Sequence, residues 1–140
     1  MLSFLKKTKP KPQDTETLCF KDNESAFQFA LNTFGSVDDD SLVPEQLYFA
    51  RLLEDYRGVD HNNDCVYIEL PTENKTSLCF GVFPKNHSAV YPKGTLILFT
   101  PVHLTTIDMI ESWLGVVNGV VEPTFNPKKG WKFKDRFIQN

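Results

Sequence analysis

Residues 64–83, DCVYIELPTENKTSLCFGVF, decide the fold of this chain. Two runs of alternating residues, rich in β-branched and aromatic side chains, flank the segment Thr72–Lys75, which has the composition of a hairpin turn. If this turn is symmetric, Ile68 lies opposite Cys79 on the paired strands. Both faces of the hairpin are apolar, and this pattern predicts a sheet that is covered on both sides.

Two amphipathic helices are predicted ahead of the hairpin. The first spans about 22–34, with Asp22 as N-cap and Gly35 as the left-handed stop. The second spans about 44–57 and ends at Gly58. The residues with the helical spacing i, i+3, i+4, i+7 are Phe27, Ala30, Leu31 and Phe34 in the first helix and Phe49, Leu52, Leu53 and Tyr56 in the second.

The chain after the hairpin is predicted to be mostly strand. The expected elements are a strand at 95–100 that Pro101 stops, a short helix at 105–114, a glycine-containing strand at 115–122, a turn at 126–130 and a last strand at 131–137. The predicted fold is therefore α+β, with two N-terminal helices packed on a small, curved, largely antiparallel sheet or partly open barrel of about five strands.

The sequence predicts one domain with an N-terminal tail. Residues 1–17 are rich in Lys and Pro and show no apolar periodicity, which indicates a flexible tail ahead of a single α+β domain at 18–140. No apolar stretch approaches the ~18 residues that a membrane span needs. The first residues lack an apolar run of signal-peptide length, so we expect a cytoplasmic protein.

Charge is distributed unevenly along the chain. Residues 13–64 carry twelve acidic residues against three basic ones, whereas residues 128–140 carry five basic residues against one acidic residue. These two segments could pair with each other inside the fold, or either could bind an external ligand. The run Asp38–Asp40 lacks the spaced ligands and central glycine of a calcium loop, and we interpret it as a solvated loop.

The motifs of catalysis are missing from the sequence. There is no phosphate-binding glycine loop, nucleophile elbow or zinc-protease motif. An enzyme would need a site assembled from loops, for which the candidates are His61, Asp64, His87 and His103. The three cysteines have no metal-type spacing, so we predict neither a cofactor nor a metal site.

The C-terminal hairpin is the predicted binding site. Its basic and aromatic residues could hold the phosphates and stack on the bases of a single-stranded nucleic acid. Strict alternation also fits an edge strand that lysines protect from aggregation, with its rings turned to the core. The candidate binding residues are Lys128, Lys129, Trp131, Lys132, Lys134 and Arg136.

Three classes of function follow. The leading one is a non-catalytic intracellular protein–protein interaction domain, whose partner is another protein or a second copy of the chain in a homodimer. A small acidic domain of this kind could neutralise a basic partner, as immunity proteins and antitoxins do. The alternatives are single-stranded nucleic-acid binding through the C-terminal hairpin and an enzyme with the loop-assembled His/Asp site.

Overall fold

The computed structural model of the protein describes residues 16–58, 64–73 and 79–137. Within these ranges the chain forms one α-helix, a short 3₁₀ turn and seven strands. The elements are β1 (Leu18–Cys19), α1 (Asn23–Phe34), the 3₁₀ turn (Asp39–Ser41), β2 (Tyr48–Leu52), β3 (Cys65–Glu69), β4 (Cys79–Val82), β5 (Leu96–Ile107), β6 (Ile110–Asn126) and β7 (Gly130–Arg136). The prediction of two N-terminal helices on about five strands is therefore wrong, because sheet dominates the fold.

Five of the strands close into a barrel. β2 pairs with β3, β3 with β4, β4 with β6, β6 with β5, and β5 again with β2. All of these pairs are antiparallel except β4–β6, which is parallel. β6 runs on past the barrel and there pairs with β1 and β7. The long β6 thus extends the sheet of the barrel to β1 and β7.

The central hairpin has the predicted register. Ile68 lies opposite Cys79, and the same register places Cys65 opposite Val82. The side chains of β3 also alternate in exposure as predicted, since Val66 and Ile68 are buried and their neighbours are half-buried. The turn at Asn74 and Lys75 lies outside the described residues, as does the predicted tail up to residue 15.

Helix α1 confirms the first predicted helix. The Asp22 carboxylate accepts a hydrogen bond from the backbone N–H of Ser25 at 2.8 Å, and Gly35 ends the helix with φ +88°. The buried face consists of Ala26, Phe27 and Ala30. Phe34, which the spacing placed on the same face, is 57% exposed.

The second predicted helix, at 44–57, is replaced by strand β2. Ala50 and Leu52 are buried while Phe49 and Arg51 are half-buried, which is the period of a strand. β2 pairs with β3 on one side and β5 on the other, and this pairing outweighs the helical spacing of its apolar residues.

The short helix predicted at 105–114 is also wrong. These residues belong to the hairpin β5–β6, whose strands pair Ile107 with Ile110 around a two-residue turn. Pro101 does not stop β5. It lies at a register shift, and its carbonyl accepts a hydrogen bond from the Glu45 N–H at 2.9 Å.

Two hydrophobic clusters stabilise the fold. The first lies within the barrel and includes Tyr56, Ile68, Phe83, Phe99 and Val117. The second lies between α1 and the outer face of the sheet and consists of Ala26, Phe27, Leu96, Leu98 and Val121, with Phe20, Phe49, Trp131 and Phe133 packed against it. No helix in the described part of the chain is long and apolar enough to cross a membrane.

Candidate functional site

The aromatic residues of the predicted C-terminal site pack inward. The Trp131 ring is stacked on Phe49, with 4.1 Å between centroids and 16° between planes. Its centroid also lies 4.9 Å from that of Phe125 and 6.2 Å from that of Phe29. Phe133 packs against the same cluster. The Phe49 ring therefore covers one face of the indole, a face that a nucleobase would need for stacking.

The basic residues of the same hairpin point outward. Lys132, Lys134 and Arg136 are exposed, alternating with half-buried residues as in an edge strand. The Arg136 guanidinium lies 4.4 Å from the Phe133 ring centroid, and the Lys132 Nζ lies 3.9 Å from a carboxylate oxygen of Glu122. The turn residues Lys128 and Lys129 are exposed as well.

Five of the six predicted binding residues line grooves of the described structure. Lys129, Trp131 and Lys132 line a groove of about 310 Å³. Lys134 lines another of about 510 Å³, beside Glu122, and Arg136 a third of about 370 Å³. Three of the six residues thus line the same groove.

One of the candidate histidines belongs to a hydrogen-bonded network. The Tyr91 hydroxyl donates to Asp135 Oδ2 at 2.9 Å, and His87 Nε2 lies 3.0 Å from the same hydroxyl. A hydroxyl has one proton to donate, so His87 must donate its Nε2–H to Tyr91. Burial, and then the Asp135 carboxylate, raise the pKa of Tyr91, which keeps this phenol protonated.

The other candidates of the loop-assembled site are not part of this network. His61 lies outside the described residues, and His103 is exposed on β5. Among the described residues no hydrogen bond links His87 to Asp64. Sequence reasoning missed Tyr91 and Asp135, which are separated by 44 positions and carry no motif. The network holds an imidazole at the rim of the 370 Å³ groove.

No metal centre forms within residues 16–58, 64–73 and 79–137, where no group of three or more His, Cys, Asp or Glu side chains comes together. In the acidic loop, Asp38 accepts a hydrogen bond from Thr72 at 3.3 Å, and its carbonyl accepts one from the Ser41 hydroxyl at 2.7 Å.

Burial raises the pKa of the Cys65 thiol, which disfavours the thiolate that a nucleophile requires.

A projecting hairpin carries four exposed apolar residues, among them Met109, the most exposed large apolar residue of the described chain. We call residues 102–112 of the β5–β6 hairpin the arm, because among the described residues β2 pairs with β5 as far as Phe99 and β4 pairs with β6 from Trp113 onward. The exposed apolar residues of the arm are Val102 at 47%, Leu104 at 46%, Met109 at 96% and Ile110 at 63%. The arm thus holds four exposed apolar side chains within eleven residues.

The tip of the arm is a strained two-residue turn. Asp108 has φ +52° and Met109 has φ +67°, the left-handed values that a type I′ turn demands. Asn and Gly are the residues that favour this turn, whereas a methionine there has a conformational cost of about 1 kcal/mol. The turn nevertheless holds the Met109 side chain almost fully in solvent.

Among the described residues, no strand covers the outer edge of β5 along the arm. Glu45 bonds to the Pro101 carbonyl and has φ +69°, and there the chain turns away from β5. Of the strands that the structure describes, only β6 pairs with β5 beyond Pro101. The arm therefore presents an unpaired strand edge next to exposed apolar side chains.

The fold and this surface together define a small closed β-barrel protein with a projecting hairpin. Comparison of the chain with protein-family models, with curated proteins and with solved structures finds no match.

Proposed function

We propose that this protein is a non-catalytic protein–protein interaction domain and that the arm is its contact surface. The observation that carries the proposal is the exposure of Met109 and Ile110 at the end of a projecting hairpin. Burying a large aliphatic side chain stabilises a complex by about 1.5–3 kcal/mol, so a partner that covers these residues would bind more tightly.

The partner is expected to supply an extended strand. An open strand edge binds a peptide by adding it to the sheet, with the backbone providing hydrogen bonds and the side chains providing selectivity. Residues 102–107 contain no Lys, Arg, Asp or Glu. This neutral edge favours an uncharged, apolar strand in the partner over a basic or acidic one.

Single-stranded nucleic-acid binding through the C-terminal hairpin is the second candidate. It is supported by the groove that brings Lys129 and Lys132 next to Trp131. The contacts between Trp131 and Phe49 weigh against it, because a stacked ring pair inside a core is not available to a base.

A site-specific photo-crosslinker tests the leading proposal. Placed at Met109 in cells, it should yield a discrete adduct, whereas at Val90, which is 66% exposed and lies outside the arm, it should not. The Met109 adduct should disappear when Leu104→Lys adds a charge to the strand edge. Equal adducts at both positions, or a Met109 adduct that survives Leu104→Lys, would contradict the proposal.

A further inference from the structure

We infer that the partner of the arm is a second copy of this chain, with the two arms paired antiparallel along their β5 edges across a twofold axis at Thr105. This inference rests on the proposed function, since it uses the same surface. It adds the identity of the partner and the register of the contact.

The turn determines which backbone groups face outward. In a hairpin with a two-residue turn, the flanking residues form a hydrogen-bonded pair, which here is Ile107 with Ile110. Hydrogen-bonded pairs alternate along an antiparallel ladder, so Thr105 also bonds inward to β6. The N–H and C=O groups of Leu104 and Thr106 therefore point to the open edge.

This alternation fixes a symmetric register. Leu104 pairs with Thr106 of the partner subunit and Thr106 with Leu104 of the partner subunit, and each pair exchanges two hydrogen bonds. Thr105 then lies on the axis, opposite its own copy in a non-hydrogen-bonded pair. Such pairs have a Cα–Cα separation of about 4.5 Å. The contact is isologous and closes at two copies.

The charge of the edge suits self-pairing. A twofold axis at Thr105 places the same short segment of the two copies side by side, so a segment that carried charges of one sign would repel its copy. Residues 102–107 are β-branched or aliphatic apart from His103 and carry no Lys, Arg, Asp or Glu. Neutral Thr105, rather than a charged residue, lies at the position of the axis.

Charged side chains protect another outer strand of the same chain, β7. β7 pairs only with β6 within the described part of the chain, and it carries exposed Lys132, Lys134 and Arg136. Charged side chains of this kind prevent edge-to-edge association. The β5 edge of the arm carries no such charged side chains. This difference between two edges of one protein is explained if the arm pairs with a copy of itself.

The first experiment measures mass in solution. Sedimentation velocity of the full chain over a concentration series should show a monomer–dimer equilibrium, with a dissociation constant that is roughly micromolar because the arm offers a small interface. Thr106→Pro removes an outward N–H without breaking the β5–β6 ladder and should weaken the dimer at least tenfold. Thr106→Val keeps the N–H and the branched shape, and it should dimerise as the native chain does.

The second experiment reads the register. In a Cys19→Ser background, Thr105→Cys should form a disulfide-linked dimer under mild oxidation, because a Cα separation of about 4.5 Å lies in the range that a disulfide spans. The background chain alone should remain uncrosslinked, as Cys79 is buried and Cys65 half-buried. A crosslink through Leu104→Cys with none through Thr105→Cys would overturn the proposed axis.

These outcomes separate the inference from the function on which it rests. A native chain that stays monomeric at every concentration overturns the second-copy inference. If Met109 crosslinks in the same cells to an adduct of a different mass, the interaction function still holds with another partner. If Met109 gives no adduct either, both proposals fail.

Discussion

Replacing Trp131 by alanine should unfold the junction between α1 and the sheet, because the indole joins the two. Its ring stacks on Phe49 at 4.1 Å and lies 4.9 Å from the ring of Phe125. Truncating a fully buried Trp costs about 3–5 kcal/mol. Trp131 is half-buried, which lowers this figure, whereas each ring pair adds about 0.5–1.5 kcal/mol.

We therefore expect Trp131→Ala to lower the free energy of unfolding by about 3 kcal/mol. For a chain of this length such a loss corresponds to a fall in Tm of roughly 10 °C. The matched control is Lys132→Gln together with Lys134→Gln, which changes two exposed side chains of the same strand. The control should alter stability by no more than about 0.5 kcal/mol. Urea unfolding followed by circular dichroism measures both changes.

The same variants test the nucleic-acid candidate. If the hairpin were a binding groove, the lysine pair would reduce the salt dependence of single-strand binding by about one to two units, one for each lost phosphate contact. The argument for a structural Trp131 is refuted if Trp131→Ala costs less than about 1 kcal/mol of stability while it weakens single-strand binding.

Two further predictions concern the fold. Gly115→Ala would place a Cβ against the Thr100 carbonyl oxygen and 2.6 Å from the Phe99 ring, and should cost about 3 kcal/mol or more in urea unfolding. Gly94→Ala is the control, since nothing lies within 4 Å of its Cβ and only its φ of +92° adds strain, about 1 kcal/mol. Hydrogen bonds from Ser25 and from Arg51 lower the pKa values of Asp22 and Glu24, so both carboxylates stabilise the fold above their unfolded pKa values. That stability should be lost as the pH falls through their folded pKa values. In urea unfolding, the Glu24→Gln variant should show a smaller decrease of the midpoint with falling pH than the native chain does.

The parts of the fold that were predictable are those set by local chemistry. Helix α1 has its N-cap at Asp22 and its stop at Gly35, and both signals lie next to the residues that they position. The register that places Ile68 opposite Cys79 follows from one short turn and an alternating pattern. Neither feature needs information from distant parts of the chain.

Strand β2 was not predictable, because distant residues determine it. Its apolar residues match helical spacing, yet Arg51 lies beside Glu69 on the neighbouring strand, with 2.8 Å between Nε and Oε2. A second carboxylate, from Glu24, approaches Arg51 to 2.6 Å. These contacts join positions 18 and 27 residues apart, and the spacing of apolar residues holds no information about them.

The candidate sites also contain features that local sequence predicts and features that only the fold reveals. The alternation of rings and cations in β7 could be predicted, and the structure places Trp131 inside and Lys132 outside. The contact of Tyr91 with Asp135 could not be predicted, because it joins an isolated bridge residue to a strand 44 positions further along the chain. His87 was a candidate by residue type alone, and its partners appeared only with the fold.

The wrong prediction of a helix at 105–114 bears on the function of the arm. Apolar periodicity predicts structure because apolar residues are normally buried, and it was the apolar residues here that suggested a packed helix. In the structure Ile110 is 63% exposed, and its neighbour Met109 is 96% exposed in a turn that disfavours methionine. Within the described residues, folding does not bury these side chains. Under the interaction proposed above, a partner that covers the arm would supply this burial, and the uncharged edge of β5 favours a partner that adds a strand.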